Sequence, residues 1–280
     1  MRVNGRTVKI IIGCVLAVGS IACVIKLASI LYEPKATLTA TMATSAAVTT
    51  DGAYTPPNED EAVIPTYTDF STDATSEEYV CPVDFAALQA VNPDIYAWVR
   101  IEGTDIDFPV LQSPTDDSYY LTHNSDGEYS SAGSVFSEYE YNSTDFTDPV
   151  TILYGHRMKS GAIFGNLQLE VTEDTFWDSE PVIEIYLPDK LLKYQIFAAV
   201  PYDRAHILYY HDFADEETYN SFFNNIMSIN NIEARFHEEY APVYGDKVLM
   251  LSTCLIGDSY YRFIVMGTLV YDSSSPDGVT

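Results

Sequence analysis

The chain has 280 residues, 47% hydrophobic and 13% aromatic, enough for one sizeable core plus an appendage. A formal net charge of −27 argues against a nucleic-acid partner, because phosphate contacts need Lys and Arg, and fits solubility outside the cell. Four cysteines (Cys14, Cys23, Cys81 and Cys254) are too few for a disulfide framework, and their spacing matches no zinc pattern.

At the N-terminus, Arg2, Arg6 and Lys9 precede an apolar run over 10–25 that continues past Lys26 to Leu31. Roughly 20 apolar residues span a bilayer, and the flanking positive charge places the N-terminus inside. Residues 1–32 are therefore expected to be a membrane anchor, with the rest of the chain extracellular. A cleaved signal peptide is the runner-up, and lipid attachment at Cys23 is a third option. Residues 33–80 are rich in Thr, Ala, Ser, Pro and acidic residues with no sustained period, which predicts a disordered stalk. Residues 81–280 are left for the folded domain.

In that domain Asp84 caps an expected helix carrying Phe85, Leu88 and Val91, which ends before Pro93. Strands are expected at 95–101 and 106–111, around the turn Glu102-Gly103-Thr104, then at 133–136 and 150–154. A short helix is expected at 163–169, and a strand pair at 182–187 and 191–200. The strongest helix signal is Tyr219, Phe222, Phe223, Ile226 and Ile229, spaced by three and four, with Glu216 and Glu217 in the first turn. The pattern lacks βαβ alternation, internal repeats and a glycine-rich phosphate loop. It predicts a mainly β protein with added helices, built as a closed or partly open barrel.

The chemistry centres on the last two strands. The run 248–254 ends in Cys254, and the next strand opens with Arg262. A guanidinium returning to the same sheet end favours thiolate over thiol and can donate to a developing oxyanion. A cysteine nucleophile also needs a proton shuttle. Of His123, His156, His206, His211 and His237, His156 is preferred, because it follows strand 150–154 and Gly155 and so occupies the same kind of strand-end position as Cys254. His206 and His211 lie in a tyrosine-rich connection, and His237 near the end of an expected helical segment. Taken singly, a cysteine on an apolar strand reads as packing, a histidine as structural and a strand-end arginine as a solvated charge. Their shared placement points to an extracytoplasmic cysteine enzyme.

These residues resemble the sortases, cysteine transpeptidases of Gram-positive cell surfaces, and class B in particular. The resemblance rests on Tyr154-Gly155-His156 with the following 157–167, on Leu251-Ser252-Thr253-Cys254, and on Arg262-Phe263. It extends to Asn92-Pro93-Asp94, Trp98, Phe108-Pro109-Val110, the segment 132–136 and the helix at 216–230. It implies an eight-stranded sortase barrel with an N-terminal helix and a long helix between strands six and seven. It implies that Cys254 forms a thioester with the threonine of a C-terminal sorting signal, that His156 moves the proton and that Arg262 holds the substrate or the oxyanion. The acceptor is then an amine of a peptidoglycan precursor or a pilin lysine. Tyr154, Ser252 and Thr253 are candidates to line the peptide groove. Asp258 reads as a solvated loop carboxylate, and Cys81 has no assigned partner. No metal or other cofactor is expected. The competing readings are a cell-wall cysteine peptidase or amidase, and a non-catalytic surface protein that binds sorting signals.

Overall fold

The computed structural model describes residues 79–275; the expected anchor at 1–32 and stalk at 33–80 lie outside them, apart from Tyr79 and Val80. Among the described residues no helix is long and apolar enough to cross a membrane.

Among the described residues nine strands run in chain order: β1 (Ile95–Ile101), β2 (Asp107–Leu111), β3 (Val135–Phe136), β4 (Val150–Tyr154), β5 (Val182–Tyr186), β6 (Leu191–Tyr202), β7 (Arg235–Phe236), β8 (Val248–Leu255) and β9 (Asp258–Asp272). Their spatial order is β5-β1-β2-β3-β4-β8-β9-β6, and β5 also pairs with β6. That last pairing closes the sheet into a barrel of eight strands, leaving no open edge in the ring. The two-residue β7 is an addition outside the ring, on β6. Pairings β2–β3 and β4–β8 are parallel and the others antiparallel.

Side-chain alternation sorts the barrel into two faces. Val99, Leu153, Ile185, Ile196, Leu249, Leu251 and Val265 point inward and make one buried cluster with residues from every strand of the ring. Val150, Ile152, Val248, Met250, Ile264 and Met266 point outward from β4, β8 and β9. That outer face is buried too, because helix α5 (Glu216–Met227) lies in the same cluster through Tyr219, Phe222, Phe223 and Ile226. Asp215 caps α5, accepting from the Thr218 N–H.

The other α-helices among the described residues are short: α1 (Phe85–Val91), α2 (Leu167–Val171), α3 (Asp174–Trp177) and α4 (Ile207–Tyr210). Asp84 caps α1, as its position before Phe85 predicts. Three local expectations need correction. The helix expected at 163–169 starts at Leu167, because the preceding residues fold back on the strand end of β4. The connection holding His206 and His211 contains α4, capped by the His206 ring itself. His237 follows β7 and precedes a single 3-10 turn, rather than ending a helix.

Candidate active site

Parallel pairing of β4 with β8 brings their C-terminal ends together, with Tyr154 opposite Ser252. The Gly155 N–H extends the ladder by donating to the Ser252 carbonyl at 3.1 Å. On the other side of β8, antiparallel pairing sets Cys254 opposite Arg262. Arg262 Nη1 donates to Cys254 Sγ at 3.6 Å. Thus one parallel and one antiparallel pairing carry His156, Cys254 and Arg262 to the same rim of the barrel. All three line one groove of about 320 Å³. It also takes in Ile152, Tyr154, Ser252 and Ile264, so it continues the outward face that α5 covers elsewhere.

The loop after β4 is shaped by close packing. A Cβ at Gly155 would lie 2.6 Å from the Phe164 ring, and one at Gly165 would lie 2.4 Å from the Met158 carbonyl oxygen. Phe164 is fully buried in the barrel interior, and its N–H donates to the His156 carbonyl at 3.1 Å. Ile163 has φ +57, in a region that a β-branched residue enters only when its surroundings hold it there. Here a bridge to Arg157 and packing against the interior cluster hold it.

His156 is half-buried, and its Nε2 lies 2.9 Å from the Leu121 carbonyl oxygen. A carbonyl only accepts, so Nε2 carries a proton. The imidazole is therefore held by the 3-10 turn Tyr119–Leu121, through a contact 35 residues away in sequence. No local pattern marks Leu121 for this part.

The other histidines have different partners. His123 stacks on Tyr119 at 3.8 Å and bonds the Tyr119 carbonyl. His237 stacks on Trp177 at 4.5 Å and bonds its carbonyl. His211 packs edge-on against Phe222. His206 does line the groove, where its Nε2 meets Glu138 Oε2 at 2.9 Å.

Of the expected groove residues, Tyr154 and Ser252 face outward with Cys254. Burial beside the Glu138 carboxylate pushes the Tyr154 hydroxyl far above the usual phenol range. Thr253 borders the groove, but pleating turns its side chain to the face of Leu249 and Leu251. It is 2% exposed, and its hydroxyl has no hydrogen-bond partner. Asp258 opens β9 in the hairpin turn and accepts from the Tyr260 N–H, in keeping with a solvated loop carboxylate. Cys81 and Cys254 are both free thiols. Cys81 packs in a separate cluster with Phe85 and Val83. Among the described residues no group of three or more His, Cys, Asp or Glu side chains could hold a metal ion.

Sequence reading missed Asp117, Glu138 and the stretch from Asp203 to Ala205, which also line the groove, and set aside His206, which lines it too. Glu138 and Asp117 both have carboxyls pushed above the usual range, chiefly by burial. These residues reach the groove from connections between elements, so no strand or helix period marks them.

No family model matches the chain. Sortase B of Listeria monocytogenes is 33% identical over 186 residues, covering 65% of this chain and 72% of that protein. The structure of sortase B from B. anthracis superimposes with a TM-score of 0.57 at 30% identity, covering 66% of this chain and 83% of the other. A Streptococcus pyogenes class B sortase involved in pilus biogenesis matches with a TM-score of 0.57 at 29% identity, covering 67% of this chain and 98% of the other. Common descent at that identity and coverage, together with the closed barrel and its helix between the sixth and seventh ring strands, means that the chain belongs to the class B sortases, a family of cysteine transpeptidases.

Proposed function

We propose that this chain cleaves a C-terminal sorting signal after its threonine, holds the surface protein as a thioester on Cys254 and passes it to an amine. The observation that carries this reading is the 3.6 Å contact from Arg262 to Cys254 Sγ, in the groove that His156 also lines. The sulfur attacks the threonine carbonyl carbon as a thiolate, and the carbonyl oxygen takes the electron pair. Arg262 is the charged donor for that oxyanion. Collapse of the tetrahedral species breaks the C–N bond, and His156 as imidazolium gives its proton to the departing amine. In the second half an acceptor amine attacks the thioester, neutral His156 takes its proton and the thiolate leaves.

A thioester keeps the acyl group reactive, and a bound signal that displaces water from the open groove favours aminolysis over hydrolysis. The signal enters as an extended segment over Tyr154 and Ser252 and is of the Asn-Pro-x-Thr-Asn kind. The acceptor is a peptidoglycan precursor amine. The similar S. pyogenes enzyme, involved in pilus biogenesis, makes a pilin lysine the other acceptor to test. Residues 1–32 anchor the chain in the cell membrane, 33–80 form the stalk and 81–280 the catalytic domain outside the cell.

The test is to incubate the full chain with a panel of sorting-signal peptides and to weigh the protein intact. An acyl adduct on Cys254 with one peptide, absent in Cys254→Ala, is expected. Full turnover by Cys254→Ala would refute the mechanism. Adding candidate amines then separates transfer from hydrolysis by product mass.

A further inference from the structure

The far wall of the groove runs from Tyr202 to Ile207, between the end of β6 and α4. The last β6–β9 register pair is Tyr202 with Arg262, so beyond it the wall is no longer held by that ladder. Side chains hold it at two points. The Arg204 guanidinium sits 4.3 Å from the ring centroid of Tyr260, tying the wall to the hairpin that carries Cys254 and Arg262. The second point is His206, whose Nε2 lies 2.9 Å from Glu138 Oε2.

The His206 ring is fully committed. Its Nδ1 accepts from the Tyr209 N–H at 3.1 Å, capping α4. An accepting nitrogen carries no proton, so the proton sits on Nε2, the nitrogen that faces Glu138. The ring also packs on Tyr141 at 4.6 Å between centroids. Glu138, two residues past β3, is well buried, with 15% of its side chain exposed. Its carboxylate is also faced by the hydroxyl of Tyr154, two residues before His156. One side chain therefore connects the β3 side of the groove, the strand leading to His156 and the far wall.

We propose that Glu138 is a positioning residue for the transpeptidase reaction: through His206 it fixes the Tyr202–Ile207 wall and so sets the width of the groove for the sorting signal. The inference rests on the reading of this groove as the signal site. Glu138 touches neither Cys254 nor Arg262, so its loss acts on peptide capture and leaves the thiol chemistry in place. Removing the well-buried acceptor from the half-buried His206 donor is expected to raise the peptide KM about tenfold.

The experiment compares Glu138→Ala, Glu138→Gln and His206→Asn in the full chain. Peptide KM and kcat are measured together with hydrogen exchange at the 203–210 amides, which needs no substrate. Glu138→Ala is expected to raise KM, hold kcat within about threefold and speed that exchange. Glu138→Gln keeps an oxygen that can accept from His206 Nε2 and recovers most of the loss. His206→Asn keeps an N-cap acceptor but cannot reach Glu138. It should reproduce the KM of Glu138→Ala, and it carries the test if Glu138→Ala fails to fold. Unchanged KM, a loss confined to kcat, or equal damage from Ala and Gln at 138 would overturn the proposal. If the wild-type chain forms no adduct with any peptide, the function reading fails by itself. Unchanged exchange at 203–210 overturns the positioning role whichever way that result falls.

Discussion

Arg262 gives the sharpest test of the chemistry. Its Nη1 lies 3.6 Å from Cys254 Sγ, beyond ordinary hydrogen-bond contact for oxygen but well placed for charge on the sulfur or on an oxyanion beside it. At that separation, two unit charges in a medium of effective dielectric about 20 interact by roughly 4–5 kcal/mol. The groove is open and Arg262 is only half-buried, so screening brings the effect below that ceiling. Loss of one oxyanion donor typically lowers kcat by about 10²–10³, or roughly 2.7–4 kcal/mol, which lies within the same limit. Arg262→Ala is therefore expected to slow thioester formation by about 10²–10³. Arg262→Lys keeps the charge but loses the planar fork and should fall between the two. The assay is single-turnover acylation followed by intact mass at saturating peptide, with circular dichroism to verify the barrel. The strand register is held by main-chain pairing, so the fold should survive. A rate for Arg262→Ala within about threefold of wild type would remove Arg262 from the chemistry and refute the argument.

Three further outcomes follow from the geometry. Gly155→Ala puts a methyl 2.6 Å from the buried Phe164 ring, so the loop must shift and carry His156 with it; a fall in kcat of at least tenfold is expected, and wild-type kcat would contradict the packing argument. Thr253→Val removes a buried, unpartnered hydroxyl at constant shape, which should leave stability unchanged or raise it by about 1 kcal/mol in denaturant titration, with an unchanged peptide KM; a raised KM would show that the hydroxyl meets the substrate. The pH dependence should be peaked rather than flat. Burial raises the carboxyls of Glu138, Asp117 and Glu170 in the folded chain, so they favour folding when protonated and lose that contribution as pH rises through their folded values. Hydrogen bonds from Thr147 and Ser143 lower Asp145, and those from Thr218 lower Asp215; these contributions are present above the ordinary Asp range and vanish as pH falls through the lowered values. Relief of acidic self-repulsion acts in the same direction as the raised group. The melting temperature should rise from pH 7.5 to about 5 and drop below about 4; a steady fall from neutral pH would refute this balance.

Apolar runs bounded by turn residues located β1 and β4 to the residue, and the spacing of Tyr219, Phe222, Phe223 and Ile226 located α5, because each of these signals is local to its own element. Cys254, Arg262 and His156 stood out because strand ends are marked by turns, and the pairings of β8 with β4 and β9 then set those ends side by side. Short helices such as α3 and α4 escaped notice because four residues carry no period; α4 begins where a histidine ring caps it. The helix expected from 163 begins about one turn later, at Leu167, because packing of Phe164 beneath Gly155 overrides local propensity.

The sequence by itself therefore determined which residues are candidates for chemistry, where most of the ring strands lie and that the long helix carries one apolar face. Only the tertiary structure decided that the ring closes through β5 and β6, that Leu121 holds the His156 ring and that Glu138 meets His206 across 68 positions. Local pattern records which side of an element is buried. It does not record which distant carbonyl or carboxylate will stand opposite a given side chain, because that partner is chosen by closure of the whole barrel.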